Sequence, residues 1–371
     1  MLLSIFNHNG EGMVVFMIVI MTIAILSTLP QFGKNSKLGI SLFGIGVLSI
    51  LMSLFPIQAR DFLHVGITFQ TGQNIDHFED VFIDLWECTN NYVLWRLIVF
   101  GLSTILMICT IKLLKINGRF AAFIFVITEM FMFGNLRNML GIMMMFFSVV
   151  LIMTSNRYNM TTFRRVIGAL GLLLTIDLHK SMWLYELLLL GAIIPFGKKT
   201  IRMSMLIFPI LWGSVFVIAQ FFIAYMDEDA QFYAEFYTNG ERATTLYKII
   251  TETIRQVCYI YLFYIIYKHQ FKYPLVKLDP TQAFLARYAF ILIYLGYLFI
   301  GQATGGWLYE RFVGIGEVAL MFLIMYFFYY YPRTRGVKMA FGGLLFYLIY
   351  NIAYTAVFAE NSIRMVNYFQ L

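Results

Sequence analysis

Four cations, Arg60, Arg137, His179 and Arg311, each sit at the end of a long apolar run, on the membrane face that the other basic residues avoid. An arginine guanidinium is planar and permanently charged, and it can grip a phosphate through two parallel hydrogen bonds. A histidine can move a proton near neutral pH or, when charged, stabilise a phosphate oxygen. Gathered around one cavity, these groups would suit a diphosphate, and Lys180 stands beside His179 in the turn Asp177-Leu178-His179-Lys180-Ser181. Each also has a plainer structural reading. Asp61 could neutralise Arg60, Glu129 could approach Arg137, Glu310 or Glu317 could pair with Arg311, and His179 could close a helix end by bonding a carbonyl. Glu186 follows His179 by two helical turns, on the same face as Trp183, and as an acid at membrane depth it needs a partner.

The elements that must position these residues are apolar segments long enough to cross a hydrocarbon core, which takes about 20 residues. They run from Met13 to Leu29, Leu38 to Phe55, Tyr92 to Leu114, Phe120 to Gly134 and Asn138 to Thr154. They resume from Val166 to Leu178, Ser181 to Phe196, Met203 to Tyr225, Lys248 to Tyr267, Phe284 to Gly301, Phe312 to Tyr331 and Met339 to Phe358. The expected fold is therefore an all-α polytopic membrane protein of about twelve transmembrane helices, one integral membrane domain over residues 1–371. Every second connection is basic: Lys34 and Lys37; Lys112, Lys115 and Arg119; Arg157, Arg164 and Arg165; Lys198, Lys199 and Arg202; Lys268, Lys272 and Lys277; Arg333, Arg335 and Lys338. The positive-inside rule turns these loops to the cytoplasm. Most acids, among them Asp61, Asp76, Glu79, Asp80, Asp84 and Glu87, then face outward with the four cations.

Composition supports the same class. A chain that is 60% hydrophobic, 18% aromatic and 13% charged, with mean hydropathy +0.76, is not an ordinary soluble domain. The net charge of +7 is explained by the cytoplasmic loops and gives no ground for a nucleic-acid partner. Cys88, Cys109 and Cys258 show no CxxC or Cys/His spacing, so neither a disulfide framework nor a zinc site is expected, and no cofactor is called for. The first apolar segment has no basic residue before it and no small-residue cleavage site, and is expected to stay as a helix.

The outer segments 56–91 and 226–247 are long enough to fold over the membrane surface as lids. Within the first, Phe78, Phe82, Leu85 and Trp86 recur at helical spacing. They predict an amphipathic helix at the interface, with Phe82 and Trp86 in the headgroups and the acids toward water. Trp86, Trp95, Trp183 and Trp307, all near outer ends, could stack on sugar faces, although interfacial aromatics are common in membrane proteins.

Arg60-Asp61 after the second helix, Leu136-Arg137-Asn138, Asp177-Leu178-His179-Lys180-Ser181 and Arg311-Phe312 occur in an order, chain length and helix number that resemble the EpsG/Wzy group of bacterial polysaccharide polymerases. The resemblance spans most of the chain through short motifs, and the run Asp61-Phe62-Leu63-His64 departs from the group's pattern. It implies a C-type glycosyltransferase fold in the bacterial plasma membrane, acting at the outer face. It also implies a metal-independent reaction that joins oligosaccharide repeat units carried on undecaprenyl diphosphate. Donor and acceptor glycan lipids would be its partners, with membrane lipid, a chain-length regulator and a flippase. On this reading Arg60, Arg137, Arg311 and Lys180 hold the diphosphate, and the base is His179, Asp61 or Glu310. A lipid-linked oligosaccharide flippase is the alternative from another class. Transporters commonly carry internal repeats and mid-depth charges, whereas here the cations gather at one face. An O-antigen ligase or a membrane acyltransferase would use similar residues.

Overall fold

In this computed structural model the described residues are 79–116, 136–157, 159–179, 181–224, 253–264, 279–299 and 305–330, with single positions at 22, 47, 68, 71, 72, 339 and 342. Among them the chain is mostly helical and forms no strand. Eight helices are bounded there: α1 (Asp80–Thr89), α2 (Tyr92–Leu113), α3 (Leu136–Thr154), α4 (Thr161–Leu178), α5 (Met182–Ile193), α6 (Lys198–Ala224), α7 (Pro280–Leu298) and α8 (Gly305–Tyr330). Residues 253–264 are also helical. Three helices, Tyr92–Leu113, Asn138–Arg157 and Pro280–Leu298, are long and apolar enough to cross a membrane, and Met182–Ile193 is a shorter apolar helix. They fit an all-α membrane protein. The expected crossings at 13–29, 38–55, 120–134 and 339–358 lie outside the described residues apart from single positions. The same holds for the 226–247 lid.

The chain divides into two compact units, Met1–Glu186 with Met325–Tyr330 and Leu348–Leu371, and Leu187–Ile324 with Tyr331–Tyr347. In the first, α3 packs mainly against α2 and α4. It is apolar nearly all round, as a helix must be to sit among others. Met139, Ile142, Met143, Met145, Phe146 and Val150 are all buried. α4 is arranged inside out. It buries Gly168, Gly171 and Thr175, while Val166, Leu170, Leu173 and Leu174 are exposed. A Cβ at Gly168 would lie 2.8 Å from the Ser148 carbonyl oxygen, and one at Gly171 would collide with the Ser148 hydroxyl. Small residues thus set the close approach of α3 and α4, the usual device where lipid removes the hydrophobic drive between helices.

The α1–α2 corner follows from two asparagines. Asn90 ends α1 in the left-handed conformation, and the side chain of Asn91 accepts the Leu94 N–H at 3.0 Å to start α2. Phe82 is fully buried, its ring 5.7 Å from that of Trp95, whose indole N–H donates to the Phe82 carbonyl at 3.2 Å. This corrects the expectation for Phe82, which anchors α1 to α2 rather than to headgroups. Asp80, Asp84 and Glu87 are exposed as expected, but Glu79 is buried.

In the second unit, α7 and α8 also meet through glycines. A Cβ on Gly296 would lie 2.6 Å from Val313, and one on Gly316 would lie 2.7 Å from Ile293. Arg287 on α7 donates to the Ala192 carbonyl at 2.6 Å, tying α7 to the last turn of α5.

Candidate active site

The first unit places His179 beside an acid that the sequence had assigned to a solvated face. Glu79 immediately precedes α1, and the docking of Phe82 on Trp95 holds that end of α1 against the bundle. His179 is the residue on which α4 ends. Its backbone is extended, its N–H reaches the Thr175 carbonyl, and its own carbonyl accepts from Met182 to begin α5. The two side chains meet, His179 Nδ1 lying 2.8 Å from Glu79 Oε1, with side-chain exposures of 15% and 7%. A carboxylate on Nδ1 keeps the hydrogen on that nitrogen and leaves the lone pair of a neutral ring on Nε2. Such a nitrogen can accept a proton from a hydroxyl. The plainer reading of His179 is half right. Its backbone closes the helix, but its ring goes to an acid and not to a carbonyl.

One turn earlier on α4, Thr175 is fully buried, with its hydroxyl 2.6 Å from the Leu172 carbonyl and in contact with the Glu186 carboxyl. Glu186 therefore has its partner. Trp183 is exposed, whereas Trp95 is enclosed by Phe82 and Tyr92 and presents no free ring face to a sugar.

Leu136-Arg137-Asn138, expected as a turn, forms the first turn of α3. Position 137 stands one turn before Gly141, whose Cβ site lies 3.2 Å from Met182, three residues after His179. The start of α3 and the end of α4 thus share one end of the first unit. The positive pole of the α3 dipole lies at that end. Arg60, Asp61 and Lys180 lie outside the described residues, as do the side chains of Arg137, Glu310 and Trp307. Arg311 is half-buried on α8 in the second unit.

The chain matches no protein-family model, no curated protein and no solved structure.

The second unit contains a buried cluster of charged and hydroxyl groups drawn from distant parts of the chain. Arg255 and Glu317 are both buried and joined by Nη2–Oε1 at 2.7 Å and Nε–Oε1 at 3.0 Å. Tyr259 accepts from Arg255 Nε at 2.9 Å and donates to Glu317, and the Tyr309 hydroxyl accepts from Nη1 at 3.4 Å. Glu317, considered as a partner for Arg311, is thus engaged by Arg255. The signal for Arg255 was present, since it interrupts the apolar run Lys248 to Tyr267. Its acid, 62 residues away, could not be picked out by spacing. With four groups satisfying one another, this cluster ties the 253–264 stretch to α8. Among the described residues no group of three or more metal-ligating side chains occurs.

Proposed function

We propose that this protein is a membrane glycosyltransferase that joins lipid-diphosphate-linked oligosaccharide units at the outer face of the plasma membrane, a polysaccharide polymerase. The observation that supports this reading best is the largely buried pair of Glu79 and His179, set at the end of the first unit where α3 begins at Leu136. In the proposed reaction His179 Nε2 takes the proton of an acceptor hydroxyl as its oxygen attacks the anomeric carbon of the donor. The bond from that carbon to the diphosphate oxygen breaks, and the electron pair leaves with the lipid diphosphate. Arg137 and the α3 amino end would stabilise the charge that develops there, with Arg60 and Lys180 as further cations. Preorganised charge of this kind needs no metal and is worth about 3–4 kcal/mol per donor in comparable sites. Asp61 stands as an alternative base.

The test uses purified full-length protein in detergent with lipid-linked repeat units and no nucleotide. Longer lipid-linked glycans on a gel are the expected product. Arg137→Lys should make none, because a point charge does not reproduce the guanidinium fork. Transfer of single units to a different acceptor, without elongation, would replace polymerisation by ligation. Lipid-linked units moved across vesicles but never lengthened would replace it by flipping.

A further inference from the structure

The second unit holds a half-open cavity of about 230 Å³ between α6, the 253–264 stretch and α7. Phe208, Ile260, Phe263, Phe290 and Ile293 make most of its wall, and no lining residue is charged. Of its polar atoms, the Tyr259 hydroxyl is engaged by Glu317 and that of Tyr294 by the Ser204 carbonyl at 2.7 Å. An ion has no counter-charge here. A buried water needs about two to four polar partners, and the wall offers few beyond Gln256 and Tyr297. The chemistry of the wall favours hydrocarbon.

Depth gives the source. Phe290 to Tyr297 stand about 15–25 Å along α7 at 1.5 Å per residue, inside a hydrocarbon layer about 30 Å thick, and α7 is one of the helices able to cross it. Met205 and Ile260 of the wall are exposed, as are Ile207 on α6 and Val257 and Tyr264 on the 253–264 stretch. Pro209 removes from α6 the N–H that would bond the Met205 carbonyl, in the same turn that lines the cavity. We propose that this cavity takes one acyl chain of a bilayer phospholipid, entering sideways between α6 and the 253–264 stretch. At about 30 Å³ per water-sized group it accommodates roughly seven methylenes. The proposal holds whatever reaction the first unit carries out.

The experiment uses the full-length protein in vesicles of phosphatidylethanolamine and phosphatidylglycerol, doped with a phospholipid that carries a diazirine at the end of one acyl chain. After illumination, crosslinks are expected to be several-fold enriched in peptides covering 205–212, 256–264 and 290–297, relative to the equally exposed apolar face of α4. Ile293→Trp, which fills the cavity, should remove the enrichment. Phe208→Ala, which enlarges the cavity, should raise it and keeps the test decisive if the tryptophan variant fails to fold. Labelling no stronger than on α4 would mean surrounding lipid only and would overturn the proposal. So would enrichment untouched in an Ile293→Trp protein that elutes like the parent, or displacement of the probe by a low mole fraction of polyprenyl phosphate, which would assign the cavity to a carrier tail.

Discussion

The contact between Glu79 and His179 decides which nitrogen of the ring is available, and so what the ring can do. If the carboxylate orients the imidazole, Glu79→Gln should lower glycan elongation about 10²-fold or more, in the range of general acid–base contributions. Abundance should stay unchanged, because the amide keeps the size of the side chain. Elongation rates per folded protein check this, and a fully active Glu79→Gln variant would remove the histidine from the proposed chemistry. Arg255 and Glu317 differ in kind. They neutralise each other inside the second unit, so removing Glu317 takes its carboxylate away from a buried guanidinium. Glu317→Ala should therefore cost about 3–5 kcal/mol of stability, and combining it with Arg255→Met should recover part of that loss. Thermal unfolding of the purified variants in detergent provides the comparison. No recovery in the double variant would show that the tyrosine hydroxyls, rather than the charges, dominate the cluster.

Among the elements, the α3–α4 pair is where packing is tightest. Gly168→Val would drive side-chain atoms into the Ser148 carbonyl and Ile152, and overpacking of this kind costs about 1–3 kcal/mol. Because α4 also delivers His179, the same variant should lower activity out of proportion to its loss of stability. Elongation assayed well below the unfolding temperature tests this, and normal activity there would mean that α4 tolerates displacement. Among the described residues, the long helices were legible in the apolar runs. Two details were not. Residues 136–138 belong to α3, and α1 turns Phe82 inward because Trp95 is there to bond its carbonyl and pack on its ring. Local spacing gave the period of α1 but not its partner, and the partner fixed which face was buried.

For the whole molecule, the charge pattern of the loops leads us to expect α1, the end of α4 and the start of α3 on the outer side. Cys88 is exposed on α1, while Cys109 and Cys258 lie within apolar helical stretches. A membrane-impermeant maleimide applied to spheroplasts should label Cys88 and leave the other two unmodified until the protein is denatured. Cys88 labelled only after permeabilisation would put Glu79 and His179 on the cytoplasmic side and end the outer-face mechanism. By itself the sequence determined that this is a helical chain with segments apolar enough for a membrane, because the cost of placing a side chain in hydrocarbon is roughly additive along the chain. Only the tertiary structure decided which charge meets which, Glu79 with His179 across 100 positions and Arg255 with Glu317 across 62. Such pairings depend on the azimuth of each helix and on the neighbour it packs against, and neither is written in the spacing of residues along one strand of chain.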